Sequence, residues 1–176
     1  YVYMDERDMP DFEELIKDFK FPVIVKPSVV AGGLLITACK EKKELEKILK
    51  KTFRLMQKMY AKERRGKKPR LLIEEMMQGD MYSTDAYVTH DGRVFCMPLV
   101  EVITAHFIGI PGFYSYRHII PGKLCEAEGK RGFKAAEDAI RALNLSSTTT
   151  HIELFLTKDG WKFIEVGARI GGYREG

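Results

Sequence analysis

Two glutamates on two short strands near the end of the chain place the strongest constraint on its fold. Glu153 lies in HIELFL and Glu165 in WKFIEVGARIGG, and the TKDG residues between these segments are typical of a tight hairpin turn. If residues 158–160 form a three-residue loop, Thr157 pairs with Trp161. Four positions further along each strand, Glu153 then pairs with Glu165. Because directly opposed residues share one face of a sheet, the sequence predicts a hairpin with two neighbouring carboxylates.

Two opposed carboxylates need a physical reason, since like charges facing each other destabilise a sheet by up to about 1 kcal/mol. One reason is a bound cation, because Mg²⁺ is usually held by one or two carboxylates together with water and substrate phosphates. The alternative is a pair of acids on a solvent-exposed face, or a one-residue change of register that separates them. His151 is predicted to share the face of Glu153 and to support the site rather than bind the metal.

The composition limits the class of protein. The 176 residues are 45% hydrophobic and 31% charged, which predicts one ordered globular domain with room for two lobes. No run of 18 apolar residues occurs, so no membrane span is expected. The odd number of cysteines and the lack of a C-x-x-C pair argue against a disulfide framework and a structural zinc site. We therefore expect reduced thiols in a cytoplasmic protein, at Cys39, Cys96 and Cys125.

The net charge of +4 is concentrated between Lys40 and Arg70. This segment predicts either a nucleic-acid-binding patch or the solvated face of an amphipathic helix. Apolar residues recur at helical spacing through the same segment, which favours the helix. The sequence therefore does not predict nucleic acid as a partner.

The order of elements predicts an α+β fold with two sheets. We predict strands at 21–27, 34–39, 70–75, 81–89 and 93–104, followed by the acidic hairpin. We predict helices at 11–19, 41–62 and 129–143, with residues 105–122 irregular. The break at 66–69 is interpreted as the boundary between a smaller lobe, residues 1–69, and a larger lobe, residues 70–176.

Three further segments carry residues suited to nucleotide chemistry. Lys26 ends an apolar strand just before a loop containing Gly32 and Gly33, where a lysine and backbone N–H groups can meet phosphate. The alternative is a Gly-rich turn beside an incidental lysine. The acidic and apolar residues that end the strand at 70–75 can frame a purine, or can be an ordinary strand end. Those residues are Glu74, Glu75, Met76 and Met77.

Arg169 lies four residues beyond Glu165, in a segment that continues with Gly171 and Gly172. A guanidinium beside a metal site can stabilise charge on a transferring phosphoryl group or on an acyl phosphate. The alternative is a surface arginine in a loop.

Together, these segments resemble the ATP-grasp superfamily, especially its carboxylate–amine ligases. The resemblance covers nearly the whole chain in family order. PVIVKP is similar to the lysine strand, SVVAGGLLIT to the glycine loop, and LLIEEMMQGDMYSTD to the hinge pattern E-E-x-x-x-G-x-E-x-S-x-D. HIELFL and FIEVGARIGG are similar to the metal-binding strands, and the E-V-G-A-R-x-G-G form is most like the amino-acid and dipeptide ligases.

The resemblance implies two lobes, each with a mainly antiparallel sheet and helices, and a nucleotide cleft between them. It also implies ATP and Mg²⁺, or Mn²⁺, as ligands. The implied phosphate contacts are Lys26, Gly32 and Gly33, and the implied adenine contacts are Glu74, Glu75, Met76 and Met77. The implied metal ligands are Glu153 and Glu165, with Arg169 as the catalytic residue that stabilises an acyl phosphate.

Two positions depart from the family pattern. The ribose-binding glutamate of the hinge falls on Met81, with Asp80 one position earlier as the substitute. Strand alternation predicts that Asp80 points to the other face. An asparagine metal ligand of many relatives falls on Gly167, which offers only its backbone.

The implied activity is ligation of a small-molecule carboxylate to an amine through an acyl phosphate, with release of ADP and phosphate. A carboxylase-type or purine-pathway ATP-grasp enzyme, or a nucleotide-binding module without turnover, is the alternative. The family usually has an N-terminal α/β domain and further residues after R-x-G-G. We therefore expect this chain to be an internal part of a longer polypeptide, with a homodimer left open.

Overall fold

The computed structural model describes residues 1–28, 33–62 and 68–172. Within these ranges the chain forms two antiparallel sheets and three α-helices, so the predicted α+β class with two sheets is confirmed. The chain divides into two compact units. Unit 1 comprises Tyr1–Met76 and Thr104–Ser115, and unit 2 comprises Met77–Ile103 and Tyr116–Gly176.

Unit 1 contains a four-stranded sheet in the order β1-β4-β2-β3. Its strands are β1 (Val2–Met4), β2 (Val23–Pro27), β3 (Thr37–Cys39) and β4 (Leu71–Glu75). A 3-10 turn at Glu6–Asp11 leads into the short helix α1 (Phe12–Leu15), and α2 spans Lys42–Lys62. The predicted helix at 11–19 is therefore confined to α1, and the predicted strand at 34–39 is confined to β3.

The core of unit 1 forms because α2 is amphipathic. Its buried side chains are spaced three or four residues apart, which places them on one face of the helix, as in Leu45, Leu49, Phe53, Met56 and Tyr60. They join the buried side chains of β2 and β4 in one cluster. The Lys and Glu side chains of the helix lie mostly outside this cluster, in agreement with the helical interpretation of the basic segment.

Unit 2 carries a sheet in the order β10-β9-β5-β7-β8, with β6 paired to β5. Its strands are β5 (Asp80–Val88), β6 (Val94–Cys96), β7 (Val100–Thr104), β8 (Ser115–Ile119), β9 (Thr148–Thr157) and β10 (Gly160–Gly167). Helix α3 (Glu126–Ala142) packs on one face of this sheet, where Ile140 joins a cluster with Tyr82, Ile152 and Leu154. Alternate residues of β5 and β9 face the other side.

Several boundaries differ from those the sequence predicts. The predicted strand at 93–104 is two strands, β6 and β7, with Pro98 between them, and a proline has no N–H for a sheet ladder. The segment predicted to be irregular contains β8, whose residues are almost all exposed. The predicted lobe boundary at 69/70 falls before β4, but β4 pairs with β2, so unit 1 extends to Met76.

Within the described residues, no helix combines the length and the apolar composition that a membrane span requires.

Candidate functional site

The acidic hairpin is the centre of the candidate site. β9 and β10 are antiparallel, and Glu165 is directly opposite Glu153, as the sequence predicts. The predicted pairing of Thr157 with Trp161 is wrong, because Thr157 pairs with Gly160 and the loop contains only Lys158 and Asp159.

A β-bulge reconciles the shorter loop with the predicted carboxylate pair. The register shifts between Phe163 and Glu165, so Ile164 is the extra residue of β10. In a regular ladder without the bulge, a two-residue loop would place Ile164, not Glu165, opposite Glu153. The bulge also explains why Trp161 and Glu165, which are four positions apart, lie on opposite faces of the sheet.

The turn that joins the two strands is held by the side chain of Thr157. Its hydroxyl donates to the carbonyl of Gly160 at 2.8 Å and accepts from the N–H of Asp159 at 3.2 Å. Gly160 has φ +98, which favours glycine at this position. The local side-chain bonds of Thr157 therefore select the two-residue loop.

Arg169 lies beside Glu165 of the carboxylate pair. Its Nη2 is 3.7 Å from Oε1 of Glu165. The loop turns sharply, since the N–H of Arg169 donates to the carbonyl of Gly167 at 2.8 Å and its Nη1 donates to the carbonyl of Ile170 at 3.0 Å. Both charged groups are half-exposed, so the guanidinium and the carboxylate are accessible to a ligand.

A polar pair, a buried histidine and a partly buried aspartate, lies next to Glu153 on the same face of the sheet, and the sequence singled out only its histidine. Asp85 on β5 is directly opposite His151 on β9. The Nδ1 of His151 is 2.6 Å from Oδ1 of Asp85, and its Nε2 is 3.6 Å from Oε1 of Glu153. The same Asp85 oxygen accepts the N–H of Gly171 at 3.0 Å. The sequence signal that could have identified Asp85 is the last position of the hinge pattern.

The electrostatics follow from these contacts. The carboxylates of Glu153 and Asp85 raise the pKa of His151 against the opposing effect of burial. Although His118 on β8 is exposed, partial desolvation by neighbouring residues lowers its pKa, while Glu153 acts in the opposite direction and His151 in the same direction. Two imidazoles therefore lie within electrostatic range of the Glu153 carboxylate.

In unit 1, the lysine strand and the hinge strand are joined by an ion pair. Glu74 is directly opposite Ile24, two residues from Lys26, so both charged side chains lie on one face of the sheet. Nζ of Lys26 is 2.5 Å from Oε2 of Glu74, and both side chains are largely buried. The sequence predicted a phosphate ligand and an adenine contact at these positions, but it did not predict that they pair.

The other hinge residues lie close to this pair along the chain. The Glu75 carboxylate accepts the N–H of Lys20 at 3.3 Å. The N–H of Met76 donates to the carbonyl of Pro22 at 3.0 Å, and this residue ends unit 1. Met77 begins unit 2. Asp80 is opposite Leu156, on the α3 face and not on the face of Glu153, as strand alternation predicts.

The glycine loop is described only at its second predicted residue. Gly33 has φ +72, and a Cβ built there would lie 3.0 Å from the backbone atoms of Phe113 and Tyr114. The position therefore requires glycine both for its backbone angle and for the close approach of another backbone segment. Gly32 lies outside the described residues.

The two carboxylates of the acidic hairpin suit a cation that needs few protein ligands. Across residues 1–28, 33–62 and 68–172, no group of three or more His, Cys, Asp or Glu side chains converges in a way that could hold a metal. The opposed pair Glu153 and Glu165 supplies two carboxylates. Mg²⁺ is commonly held by one or two carboxylates and completes its shell with water and phosphate oxygens, so the pair suits Mg²⁺ better than a metal that requires an all-protein cage.

Comparison with known proteins identifies the family. A family model described as an ATP-grasp domain matches residues 19–175. The chain belongs to the ATP-grasp family. The two antiparallel sheets with their helices are accordingly an ATP-grasp fold.

Among curated relatives, this ATP-grasp chain is 24% identical over 177 residues to alanine–anticapsin ligase of Bacillus subtilis, a match that covers 94% of the chain and 36% of the relative. It is 25% identical over 162 residues to D-alanine–D-alanine ligase of Bacillus cytotoxicus, a match that covers 87% of the chain and 39% of the relative. Among solved structures, the L-amino acid ligase from Bacillus licheniformis matches with a TM-score of 0.73 and 26% identity, over 97% of this chain and 39% of that one. The ATP-grasp chain thus spans less than half the length of these relatives.

Proposed function

We propose that this chain is the ATP-binding part of an ATP-dependent carboxylate–amine ligase. The observation that carries the proposal is the pairing of Glu153 with Glu165 on one face of an ATP-grasp sheet, with Arg169 beside Glu165. The similarity to alanine–anticapsin ligase and to an L-amino acid ligase supports an amino-acid or peptide substrate class.

In the proposed reaction, an oxygen of the substrate carboxylate attacks the γ-phosphorus of ATP. The bond between that phosphorus and the oxygen that bridges it to the β-phosphorus breaks, and ADP leaves. The amine nitrogen of the second substrate then attacks the acyl carbon, phosphate leaves with its bonding electron pair, and the nitrogen loses a proton. The products are an amide, ADP and phosphate. Catalysis of this kind depends mainly on positioning and on neutralising the charge of the phosphoryl group.

Each group of residues has a separate role in this proposal. Glu153 and Glu165 hold Mg²⁺, which when bound neutralises charge on phosphate oxygens. Arg169 is half-exposed and stabilises the charge of the acyl phosphate. Glu165 lies close enough to restrain the guanidinium without enclosing it.

Lys26 and the hinge are proposed to bind the nucleotide. The ammonium of Lys26 binds ATP phosphate, and Glu74 orients the lysine through their ion pair. The residues of the hinge, from Glu74 to Met77, frame the adenine, and Gly33 allows the backbone of the glycine loop to approach the phosphates. Asp80, the substitute for the ribose-binding glutamate, lies on the opposite face of the sheet from Glu153, so we assign it no role in holding the metal.

We also propose the setting of this reaction. The substrates are a small-molecule carboxylate and an amine, and other parts of a longer polypeptide supply the acceptor pocket. The three cysteines are free thiols, which is compatible with the reducing cytoplasm where ATP is available.

The experiment is an assay of the longer parent protein with Mg²⁺, ATP and a panel of amino acids, with identification of the nucleotide product. ADP and phosphate released only when amino acids are present support the ligase. AMP and pyrophosphate would overturn the acyl-phosphate mechanism. Turnover that requires bicarbonate instead of an amino acid would support a carboxylase-type enzyme in its place.

The metal assignment is tested with Glu165→Gln, which keeps the size of the side chain and removes its charge. We expect Mg²⁺-dependent binding of a non-hydrolysable ATP analogue, measured by calorimetry, to weaken at least about tenfold, because even changes to residues that only contact a metal ligand cost about 10- to 100-fold. Asp159→Asn, in the turn of the same hairpin, is the matched control and should bind normally. Unchanged binding by Glu165→Gln would refute the assignment.

A further inference from the structure

We propose that Asp85 and His151 are positioning residues that fix the arginine loop, residues 168–171, to the metal-binding strand β9. Asp85 contacts both Gly171 of the loop and His151, and His151 in turn lies beside Glu153. This inference rests on the proposed function, because the loop carries Arg169 and the strand carries Glu153. Hydrogen exchange tests it even where ligase activity is absent.

The first step is the contact between the two residues. Asp85 and His151 are directly opposite each other on neighbouring strands, so the backbone ladder places their side chains side by side. The Nδ1–H of His151 donates to Oδ1 of Asp85 at 2.6 Å, a short bond to a carboxylate acceptor. The His151 side chain is only 5% exposed. Burial and this bond together fix the orientation of the imidazole ring.

The second step is the hold on the arginine loop. The N–H of Gly171 donates at 3.0 Å to the same Asp85 oxygen that accepts from His151. The other end of the loop is continuous with β10 at Gly167, whose carbonyl accepts the N–H of Arg169. The loop that carries Arg169 is thus held at both ends. At one end it continues from β10 at Gly167, and at the other the Asp85 carboxylate accepts the N–H of Gly171.

The third step leads to the metal-binding strand. His151 and Glu153 are two residues apart on β9 and therefore share a face of the sheet. Once Nδ1 is bound to Asp85, the ring presents Nε2 to Oε1 of Glu153, at 3.6 Å. The Asp85 carboxylate thereby sets the position of the Arg169 loop. Through the imidazole of His151, it also sets the surroundings of the Glu153 carboxylate.

The competing assignment for His151 is direct metal coordination. Its position gives this alternative a basis, because His151 is directly opposite Gly167, two residues beyond Glu165 on β10. The positioning role is favoured because both ring nitrogens already face carboxylates, Nδ1 that of Asp85 at 2.6 Å and Nε2 that of Glu153 at 3.6 Å. In the part of the chain that the structure describes, no three acidic, histidine or cysteine side chains converge as metal ligands.

The test begins with the ligand-free parent protein and measures hydrogen exchange of the Gly171 amide by NMR. We expect Asp85→Ala to accelerate that exchange at least about tenfold, because the amide loses a charged acceptor. Asp85→Asn keeps the shape and one acceptor oxygen, so it should fold normally and accelerate exchange less. Asp91→Asn, a carboxylate change in the turn between β5 and β6 of the same sheet, is the control and should leave the exchange rate unchanged. Unchanged exchange in both Asp85 variants would overturn the proposal.

The second readout separates positioning from simple loss of stability. In the parent enzyme we expect Asp85→Asn and His151→Gln each to lower kcat about 10- to 100-fold while KM for ATP changes less than about threefold. The double variant should lose little more than the worse single variant, because both residues act through one network. Fully multiplicative losses would overturn the proposal.

The third readout addresses the metal directly. Electron paramagnetic resonance of bound Mn²⁺ should show no coupling to an imidazole nitrogen, whereas a coupling that His151→Gln removes would make His151 a ligand and overturn the positioning role. If the parent protein shows no ATP turnover at all, the proposed function fails. The exchange result at Gly171 then still decides whether Asp85 anchors the loop.

Discussion

Replacing Gly79 with alanine tests how closely the residue before β5 approaches β9 at the start of the β5–β9 ladder. Gly79 has φ +147, a backbone angle that L side chains rarely adopt. A Cβ built at this position would lie 2.1 Å from the carbonyl oxygen of Leu156 and 3.1 Å from Cα of Thr157. Both neighbours are backbone atoms of a paired strand, so they cannot move without disturbing the ladder.

The expected loss of stability has two parts. A non-glycine residue at an unfavourable φ costs about 1–3 kcal/mol. Forcing an extra carbon into a packed position costs about 1–3 kcal/mol more. The sum is about 2–6 kcal/mol, and with a urea dependence of about 2 kcal/mol per molar, a loss of about 4 kcal/mol lowers the unfolding midpoint by about 2 M.

Trp161 makes the assay specific to the right part of the chain. It is the only tryptophan, it belongs to unit 2 with Gly79, and its ring lies 5.3 Å from that of Tyr82. Its fluorescence during urea unfolding therefore reports on unit 2.

Gly92→Ala is the matched control. Gly92 is in unit 2 and also has positive φ, +80, but no atom of the described residues lies within 4 Å of an added Cβ. We expect this variant to lose only about 1–2 kcal/mol, from the backbone angle alone. If both variants shift the midpoint equally, the close approach of Gly79 to β9 contributes nothing and the reasoning is wrong.

Two other predictions concern thiols and the end of β10. At pH 8 a thiol reagent should modify exposed Cys125 rapidly, but Cys39 and Cys96 only slowly, because burial raises the pKa of Cys39 to about 12 and that of Cys96 to about 11. Peptide mass spectrometry measures the order, and rapid labelling of native Cys39 would contradict it. Gly167→Ala should change the free energy of unfolding by less than about 1 kcal/mol, because an added Cβ meets the side chain of Arg169 at an ordinary 3.5 Å. A loss above about 2 kcal/mol in urea unfolding would show that the loop packs more tightly than this distance implies.

The hairpin shows which parts of the site could be predicted from local sequence. Counting residues back from the turn signal placed Glu153 opposite Glu165, as the structure has it, but only through two errors that cancel. The loop length was not predictable from glycine alone, because the hydroxyl of Thr157 selects the shorter turn. The error in the loop and the omission of the bulge at Ile164 each shift the register by one residue in opposite directions, so they cancel at the carboxylates.

Non-local contacts account for what the sequence did not predict. The Asp85–His151 bond joins residues 66 positions apart, and the Lys26–Glu74 pair joins two strands separated by α2. Periodicity identifies the face of a strand that a residue occupies, but not which strand lies beside it. β8 was not predicted for a related reason, since nearly all of its residues are exposed and no alternating apolar pattern marks it.

The bulge at Ile164 has a consequence for how this hairpin tolerates changes in chain length. Removal of Ile164 would leave a regular ladder in which Glu165 still faces Glu153 and every other residue of β10 keeps its partner. β9 has no such spare residue, because it pairs without a shift to β5 from Thr148 to Leu156. A deletion at Phe155 would therefore put the residues of β9 on one side of the deletion out of register with β5. We expect the Ile164 deletion to preserve Mg²⁺-dependent nucleotide binding by calorimetry, whereas the Phe155 deletion abolishes it. The two strands of one hairpin would then differ sharply in the changes of length that each can accept.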